Sequence, residues 1–309
     1  MSNGVPAYSH IVVVVEENTN YDEIAGNTAA PYINSLMAGG ANLTNFDALT
    51  HPSQPNYFAL YAGSTFGTTD DNSYSEPDPT LYTILKGAGL TFTGYTETQG
   101  DGHDFNHDPW VSFPEGTSVQ TNFTSFPALF PSGNYASLPT VSFVIPDDTT
   151  NMHSGTIAAG DSWLQANLSG YAQWAKANNS LLVVVWDEND DESGGTVEPS
   201  NQVPAILYGA NITPGNYNTS YSDYNLLATI TDAFESHFHL IFLDALCRIT
   251  ARSEVLLFRA VAHYSQVDNG PGLCGVFLGV LRLRFVGHRE ILCVGGFGLA
   301  LATFRDHPI

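Results

Sequence analysis

The chain has 309 residues, 43% of them hydrophobic, and a formal net charge of −22 at pH 7. This length and hydrophobic fraction suffice for one large domain with a buried core. The negative charge argues against a nucleic-acid-binding protein, because the phosphate backbone would be repelled. No run of about 18 uncharged apolar residues occurs, so no membrane-spanning helix is predicted.

The composition changes abruptly near residue 235. Residues 1–235 contain 26 acidic residues, two Lys and no Arg or Cys, whereas residues 236–309 contain five acidic residues, seven Arg and all three Cys. The three cysteines have no metal-binding spacing. We therefore predict one domain over residues 1–235, followed by an atypical tail over 236–309 that comes from a shifted reading frame or is poorly ordered. A genuine small helical module is the alternative.

Apolar runs and helical patterns alternate through residues 1–235. In chain order they predict a strand at 11–15, a helix at 31–37, strands at 90–95 and 141–145, a helix at 157–177, strands at 181–186 and 203–208, and a helix at 226–234. Fully apolar β-branched runs are typical of strands that are buried on both faces of a parallel sheet. The pattern therefore predicts an α/β fold with a mostly parallel central sheet.

Acidic and amide side chains follow three of these strands. Glu16 to Asn18 follow the first, residues 147–153 follow the strand at 141–145, and residues 187–192 follow the strand at 181–186. Carboxylate and amide oxygens bind hard divalent cations, and ligands of open α/β sheets bind at the carboxyl ends of the strands. A cation near Asp187 would offset the repulsion among the acidic residues there. Helix caps and solvated loops are the alternatives, and a solvated loop explains residues 190–192 well.

Two further motifs carry reactive side chains. In the motif from His51 to Tyr57, two prolines restrict the backbone around Ser53, which could lie at a helix N-terminus where an anionic phosphate is favoured. His107 precedes an Asp-Pro-Trp sequence and could bind or protonate a phosphate ester. An ordinary Ser-Pro turn and a surface histidine are the alternatives. Together with the oxygen ligands, these residues predict metal-assisted phosphoryl transfer.

Other nucleotide and ester chemistry is disfavoured by missing motifs. The sequence has no G-x-x-x-x-G-K-[ST], which excludes a P-loop nucleotide hydrolase. It also has no G-x-S-x-G, which argues against an esterase of the α/β-hydrolase type.

These motifs, in this order, resemble the bacterial phosphoesterase family of acid phosphatases and phospholipases C. The resemblance rests on Val-Glu-Glu-Asn, His-Pro-Ser-Gln-Pro-Asn-Tyr, His-Asp-Pro-Trp, Val-Ser-Phe-Val-Ile-Pro-Asp, Asn-Met-His, Gly-Asp-Ser-Trp-Leu, Val-Val-Trp-Asp-Glu-Asn-Asp and Asn-Gln-Val-Pro, and it covers about residues 8–234. It is greatest with the secreted acid phosphatases that act on phosphatidylinositol 3-phosphate.

The resemblance implies a fold, a reaction and a location. The fold would be an alkaline-phosphatase-like α/β/α sandwich. The reaction would be hydrolysis of a small-molecule or lipid phosphomonoester through a phosphoseryl intermediate, assisted by a divalent metal ion. The location would be secreted or periplasmic, although Met1 to Gly4 show no start of a signal peptide.

The resemblance also implies roles for individual residues. Ser53 would be the nucleophile, and His107 and His153 would contact the phosphate or the leaving group. The implied metal ligands are Glu17, Asn18, Asp187 and Glu188. Asp223 stands where the family commonly has His, and its carboxylate could still be a ligand.

Two other hypotheses stay open, and departures from the family at Asn151 and Asp223 support the second of them. Asn151 stands where the family usually has Asp, so we expect less acidic support for His153. One alternative is a phospholipase C-type diesterase, which would release diacylglycerol rather than inorganic phosphate. The other is a non-catalytic secreted metal-binding protein of the same fold.

Overall fold

The computed structural model describes residues 4–97, 104–126, 133–190 and 201–234, together with four strands of the tail. The chain divides into two compact units, Met1–His239 and Leu240–Ile309. This boundary lies close to the change in composition near residue 235. The origin and order of the tail stay predictions.

An eight-stranded sheet forms the centre of the first unit. Its strands are β1 (Ile11–Glu16), β2 (Ala41–Leu43), β3 (Phe92–Thr96), β4 (Gln120–Asn122), β5 (Val141–Ile145), β6 (Leu181–Trp186), β7 (Ala205–Gly209) and β8 (Gly215–Tyr217). Their order is β4-β3-β5-β1-β6-β7-β2-β8. Strand β7 is antiparallel to both of its neighbours, and the other pairs in the sheet are parallel. The mostly parallel sheet predicted from the sequence is confirmed.

Seven helices accompany the sheet within the described part of this unit. They are α1 (Tyr21–Ile24), α2 (Pro31–Gly39), α3 (Ser53–Ala62), α4 (Leu81–Gly87), α5 (Asp104–His107), α6 (Ile157–Ala177) and α7 (Asp223–Asp232). Short 3-10 turns lie at Pro109–Ser112, Gly116–Val119, Phe123–Ser125 and Tyr135–Ser137. Among these described helices, none is long and apolar enough to cross a membrane.

Helices cover both faces of the sheet. On one face, the ring of Tyr61 in α3 packs 6.1 Å from the ring of Phe143 in β5. On the other, Trp163 Nε1 in α6 donates a 2.9 Å hydrogen bond to Glu97 Oε1, just after β3. Asp161 of α6 also accepts hydrogen bonds from two backbone N–H groups in the first turn of α2. The arrangement is an α/β/α sandwich, and it explains why β1, β5 and β6 are buried along their whole length.

The predicted elements agree well with the observed ones. The strands at 11–15, 141–145 and 181–186 and the helices at 31–37 and 157–177 are confirmed to within two residues. The last helix begins at Asp223 rather than 226, because Ser222 and Asn225 form a capping box three residues before the apolar pattern starts. The sequence patterns did not predict β2, β4 or β8, since a strand of three residues is too short to carry a periodic signal.

The described tail residues form a separate antiparallel sheet. Its strands are β9 (Ala260–His263), β10 (Gly279–Arg284), β11 (Arg289–Gly296) and β12 (Leu299–Asp306), in the order β12-β11-β10-β9. These residues are strands, not the helices of the alternative considered above.

Candidate active site

Four of the five predicted metal ligands follow two neighbouring strands: Glu17 and Asn18 come after β1, and Asp187 and Glu188 come after β6. Strands β1 and β6 are paired in parallel, with Glu16 opposite Trp186. The next residues of the two strands, Glu17 and Asp187, therefore leave the sheet side by side. The backbone N–H of Asp187 donates to the carbonyl of Glu16 at 3.1 Å, which continues the pairing up to the site.

Ser53 reaches the same place from a helix. It is the first residue of α3, as the two prolines suggested, and it is 3% exposed. Its hydroxyl lies 3.0 Å from Glu188 Oε1 and 3.4 Å from Glu17 Oε2. A hydroxyl that is buried between two carboxylates has a proton acceptor within reach, as a serine nucleophile requires.

The carboxylates and Asn18 form a compact group of oxygen atoms. Asn18 donates from its backbone N–H to Asp187 Oδ1 and from its side-chain amide to Glu188 Oε1, both at 3.3 Å. Two buried oxygens, Asn18 Oδ1 and Asp187 Oδ2, make no hydrogen bond with any described residue. Such atoms need a partner. A divalent cation is a suitable one, because amide and carboxylate oxygens are its usual ligands.

Electrostatics support the same interpretation. Burial raises the pKa of Glu17 well above its ordinary value, and the nearby Glu188 adds to the rise. Burial also raises the pKa of Asp187, with further contributions from Glu17 and Glu188. A positive ion would remove this mutual repulsion and hold the carboxylates ionised.

Two histidines join the site on the other side of Glu17. His107, at the end of α5, places Nε2 3.5 Å from Glu17 Oε1, and the His153 ring lies 5.7 Å from the His107 ring. One potential ligand atom from each of Glu17, His107 and His153 lies within 4.8 Å of the other two. Glu17 thus borders both a set of oxygen ligands and a mixed set. The mixed set suits a softer ion such as Zn²⁺.

The loop after β5 carries both Asn151 and His153. Asn151 Oδ1 accepts the backbone N–H of His153 at 2.9 Å, and the Asn151 carbonyl accepts from the Glu17 N–H at 2.8 Å. Asn151 therefore ties the loop to the site. Asp148 is the acidic residue beside His107, with its Oδ1 3.6 Å from His107 Nδ1. The reduced acidic support for His153 stays a prediction.

Asp223, the fifth predicted ligand, lies on a helix and not at the end of a strand. It is the first residue of α7 and is 1% exposed, and burial raises its pKa well above the ordinary value. We observe no hydrogen bond or ion pair between Asp223 and Glu17, Asn18, Asp187 or Glu188, all of which the structure describes. Its role as a metal ligand stays a prediction.

Two side chains of the site were not assigned a role from the sequence. His51 Nδ1 lies 2.8 Å from Glu188 Oε2, and the Tyr57 hydroxyl donates to Glu17 Oε1. Both belong to the motif that singled out Ser53, so their spacing from Ser53 was visible. Their partners come from residues 36 or more positions away in the sequence, and only the fold brings them together.

Comparisons with known proteins find relatives over most of the chain. A model of the phosphoesterase family matches residues 27–237. A phosphatidylinositol-3-phosphatase from Mycobacterium tuberculosis is 44% identical over 245 residues, which is 75% of this chain and 79% of that protein. An acid phosphatase from Aspergillus fumigatus is 26% identical, over 73% of this chain and 54% of that protein. The chain thus spans little more than half of this fungal relative.

Solved structures share the fold at low identity. A protein of the alkaline phosphatase superfamily from Vibrio parahaemolyticus has a TM-score of 0.54 and 12% identity, covering 98% of this chain and 83% of that one. A lipoteichoic acid synthase from Listeria monocytogenes has a TM-score of 0.53 and 12% identity, covering 74% and 72%. These likenesses confirm the predicted alkaline-phosphatase-like architecture.

Proposed function

The chain belongs to the phosphoesterase family, and from that premise we propose that it is an acid phosphatase that hydrolyses phosphomonoesters with the help of a divalent cation and through a phosphoseryl intermediate on Ser53. The observation that carries the proposal is the Ser53 hydroxyl, buried between the carboxylates of Glu17 and Glu188. The relatives named as phosphatases support hydrolysis of a monoester, and the geometry supports the serine route.

The distribution of positive charge supports the need for a cation. The only Lys or Arg residues in 1–235 are Lys86 and Lys176. Lys86 lies in α4, before β3, and Lys176 lies in α6, before β6. Both therefore precede the amino ends of these parallel strands, whereas the site is at the carboxyl ends. Since neither of these two lysines lies at the carboxyl ends of the strands, a metal ion, together with His107 and His153, would balance the charge of a bound phosphate.

The proposed reaction has two steps. Ser53 Oγ attacks the phosphorus atom while the bond from phosphorus to the leaving oxygen breaks, and the hydroxyl proton passes to Glu188 Oε1. His107 or His153 protonates the leaving alkoxide. Water then attacks the phosphoserine, and inorganic phosphate leaves as Ser53 Oγ regains a proton.

Glu17, Asn18, Asp187 and Glu188 are the residues that would hold the cation. When bound, it would stabilise the phosphoryl oxygens and lower the pKa of the serine hydroxyl. The natural substrate in this proposal is a small or lipid phosphomonoester. Phosphatidylinositol 3-phosphate is the first candidate, because the Mycobacterium tuberculosis relative is named for it. A secreted or periplasmic location belongs to the same proposal.

The proposal is tested by phosphate release from p-nitrophenyl phosphate between about pH 4 and 8, with and without a chelator. We expect release that the chelator abolishes and that added divalent cation restores. Ser53→Ala should remove turnover, because the proposed phosphoseryl intermediate forms on the Ser53 hydroxyl.

Ser112→Ala is the matched control, since Ser112 is also 3% exposed and has no role in the proposed reaction. It should retain wild-type turnover. Turnover that survives Ser53→Ala would refute the serine route. Release of diacylglycerol from a phospholipid, without release of inorganic phosphate, would favour the diesterase alternative.

A further inference from the structure

The segment from His51 to Tyr57 presents three side chains to the site, not only the nucleophile. Ser53 and Tyr57 are four residues apart in α3, so they lie on the same face of the helix. His51 precedes the helix by two residues. Tyr57 is 1% exposed, while the His51 side chain is 36% exposed at the rim.

Each flanking side chain contacts one of the two carboxylates that surround Ser53. Glu188 has Oε1 3.0 Å from Ser53 Oγ and Oε2 2.8 Å from His51 Nδ1. Glu17 has Oε2 3.4 Å from Ser53 Oγ, and its Oε1 accepts from the Tyr57 hydroxyl. Each carboxylate thus has an inner oxygen that faces Ser53 and an outer oxygen that contacts His51 or Tyr57.

These contacts oppose rotation and separation of the carboxylates, which would disrupt the site. A carboxylate can rotate about its last side-chain bond, and Glu17, Asp187 and Glu188 repel one another in a buried space. A donor fixed to the outer oxygen prevents both rotation and separation. In known metal sites, such partners of the ligands orient them, and their loss weakens metal binding by about 10- to 100-fold.

We infer that His51 and Tyr57 are positioning residues of the cation site, which hold Glu188 and Glu17 so that the inner oxygens of both face Ser53 and the ion. The inference rests on the proposed function for the presence of the cation, and goes beyond it by assigning two residues that touch neither the ion nor the phosphate. The segment from His51 to Tyr57 therefore supplies the nucleophile and also sets the geometry of the two carboxylates that would bind the cation.

The test measures cation affinity directly, in the full chain and without substrate. Binding of Mn²⁺, Mg²⁺ and Ca²⁺ is followed by calorimetry for the wild type, Tyr57→Phe, His51→Ala and His51→Asn. We expect Tyr57→Phe and His51→Ala each to weaken binding by about 10- to 100-fold. His51→Asn should recover most of the affinity, because an amide N–H₂ close to the backbone can replace Nδ1 as a donor.

Tyr61→Phe is the matched control for Tyr57→Phe. Tyr61 lies one turn further along α3, is equally buried, and also donates its hydroxyl to a carboxylate, that of Glu115, which has no part in the site. Tyr61→Phe should lower the melting temperature and leave cation affinity unchanged. His10→Ala is the matched control for His51→Ala. His10 lies just before the amino end of β1, and its Nδ1 is 3.0 Å from the Pro139 carbonyl oxygen.

Several outcomes would overturn the inference. Cation affinities of Tyr57→Phe and His51→Ala within about twofold of wild type would do so, as would an equal loss in Tyr61→Phe or a failure of His51→Asn to recover binding. A wild-type chain that binds none of the three ions would also overturn it. Cation binding by the wild type without phosphate release would instead refute the proposed function and leave the positioning roles standing.

Discussion

Glu16 and Glu17 are consecutive and fully buried, and burial raises the pKa of both carboxyl groups, yet they lie in unlike surroundings. Glu17 contacts Ser53 and Tyr57 on the face covered by α3. Glu16 is the last residue of β1, and both of its oxygens lack a hydrogen-bond partner within the described residues. The charge that affects its pKa is Glu97, which is bonded to α6 on the opposite face.

The comparison shows that burial and a raised pKa do not identify a functional carboxylate. What distinguishes Glu17 is the convergence of a hydroxyl, a phenol and an imidazole on its two oxygens. Glu16 has the properties of a buried acid that is stable in its neutral form. The same substitution at each glutamate tests whether the two residues differ in function.

The largest effect is expected for Glu17→Gln. The amide keeps the size of the side chain and can still accept from Tyr57, but it removes a negative ligand of the cation. We expect kcat/KM for p-nitrophenyl phosphate to fall by about 100-fold or more. Glu16→Gln is the control, one residue away, and should stay within about threefold of wild type. Equal losses in the two variants would show that the two glutamates do not differ in function.

A smaller effect is expected on the stability of Glu16→Gln, and it should depend on pH. Burial raises the folded pKa of Glu16 well above its ordinary value of about 4.5, so the folded state binds its proton more tightly than the unfolded state. Wild-type stability is therefore lost as pH rises from about 4.5 towards the folded pKa. Glutamine has no proton to lose, so the variant should gain stability relative to wild type as pH rises.

Urea unfolding of the metal-free protein at about pH 5 and pH 8 measures this gain. We expect the free energy of unfolding of Glu16→Gln, relative to wild type, to be about 1 kcal/mol or more higher at the upper pH. A relative stability that is the same at both pH values would mean that the Glu16 carboxylate has a partner in the folded state.

The smallest effect is expected from deleting residues 236–309. The family match ends at residue 237, and the two compact units divide after His239. If the surroundings of both glutamates belong to the first unit alone, the truncated chain should keep kcat/KM within about twofold of the full chain. In the truncated chain, the free energy of unfolding of Glu16→Gln relative to wild type should change with pH as it does in the full chain. An insoluble or inactive truncated chain would show that the tail is a genuine part of the fold.

Much of the fold could be predicted because its signals are local. The β-branched run at 11–15 and the apolar run at 181–186 indicated buried parallel strands, and both prolines around Ser53 indicated the start of a helix. The antiparallel direction of β7 was not predictable, since strand direction depends on the connections and not on the apolar pattern.

The site was predictable in its residues but not in its contacts. Strand ends and polar clusters pointed to Glu17 and Asp187, which the structure brings together. The hydrogen bond from His153 to Asn151 and the hold of His51 on Glu188 depend on distances between separate loops. The resemblance offered Asp223 as a ligand, and this role stays a prediction: Asp223 is buried at the start of α7, and its Oδ2 has no hydrogen-bond partner among the described residues.

The order of strands in the sheet has a consequence for how the protein is made. Strand β1 is synthesised first, but its two neighbours are β5 and β6, which follow about 130 and 170 residues later. Until residue 186 has left the ribosome, the apolar run from Ile11 to Val15 has no native partner on one side and must be kept from aggregating. The same delay means that Asp187 and Glu188, the last two residues of the cation site along the chain, arrive only when the central strands can close. The nascent chain could then neither bind the proposed cation nor hydrolyse a phosphate ester until the core of the domain is complete.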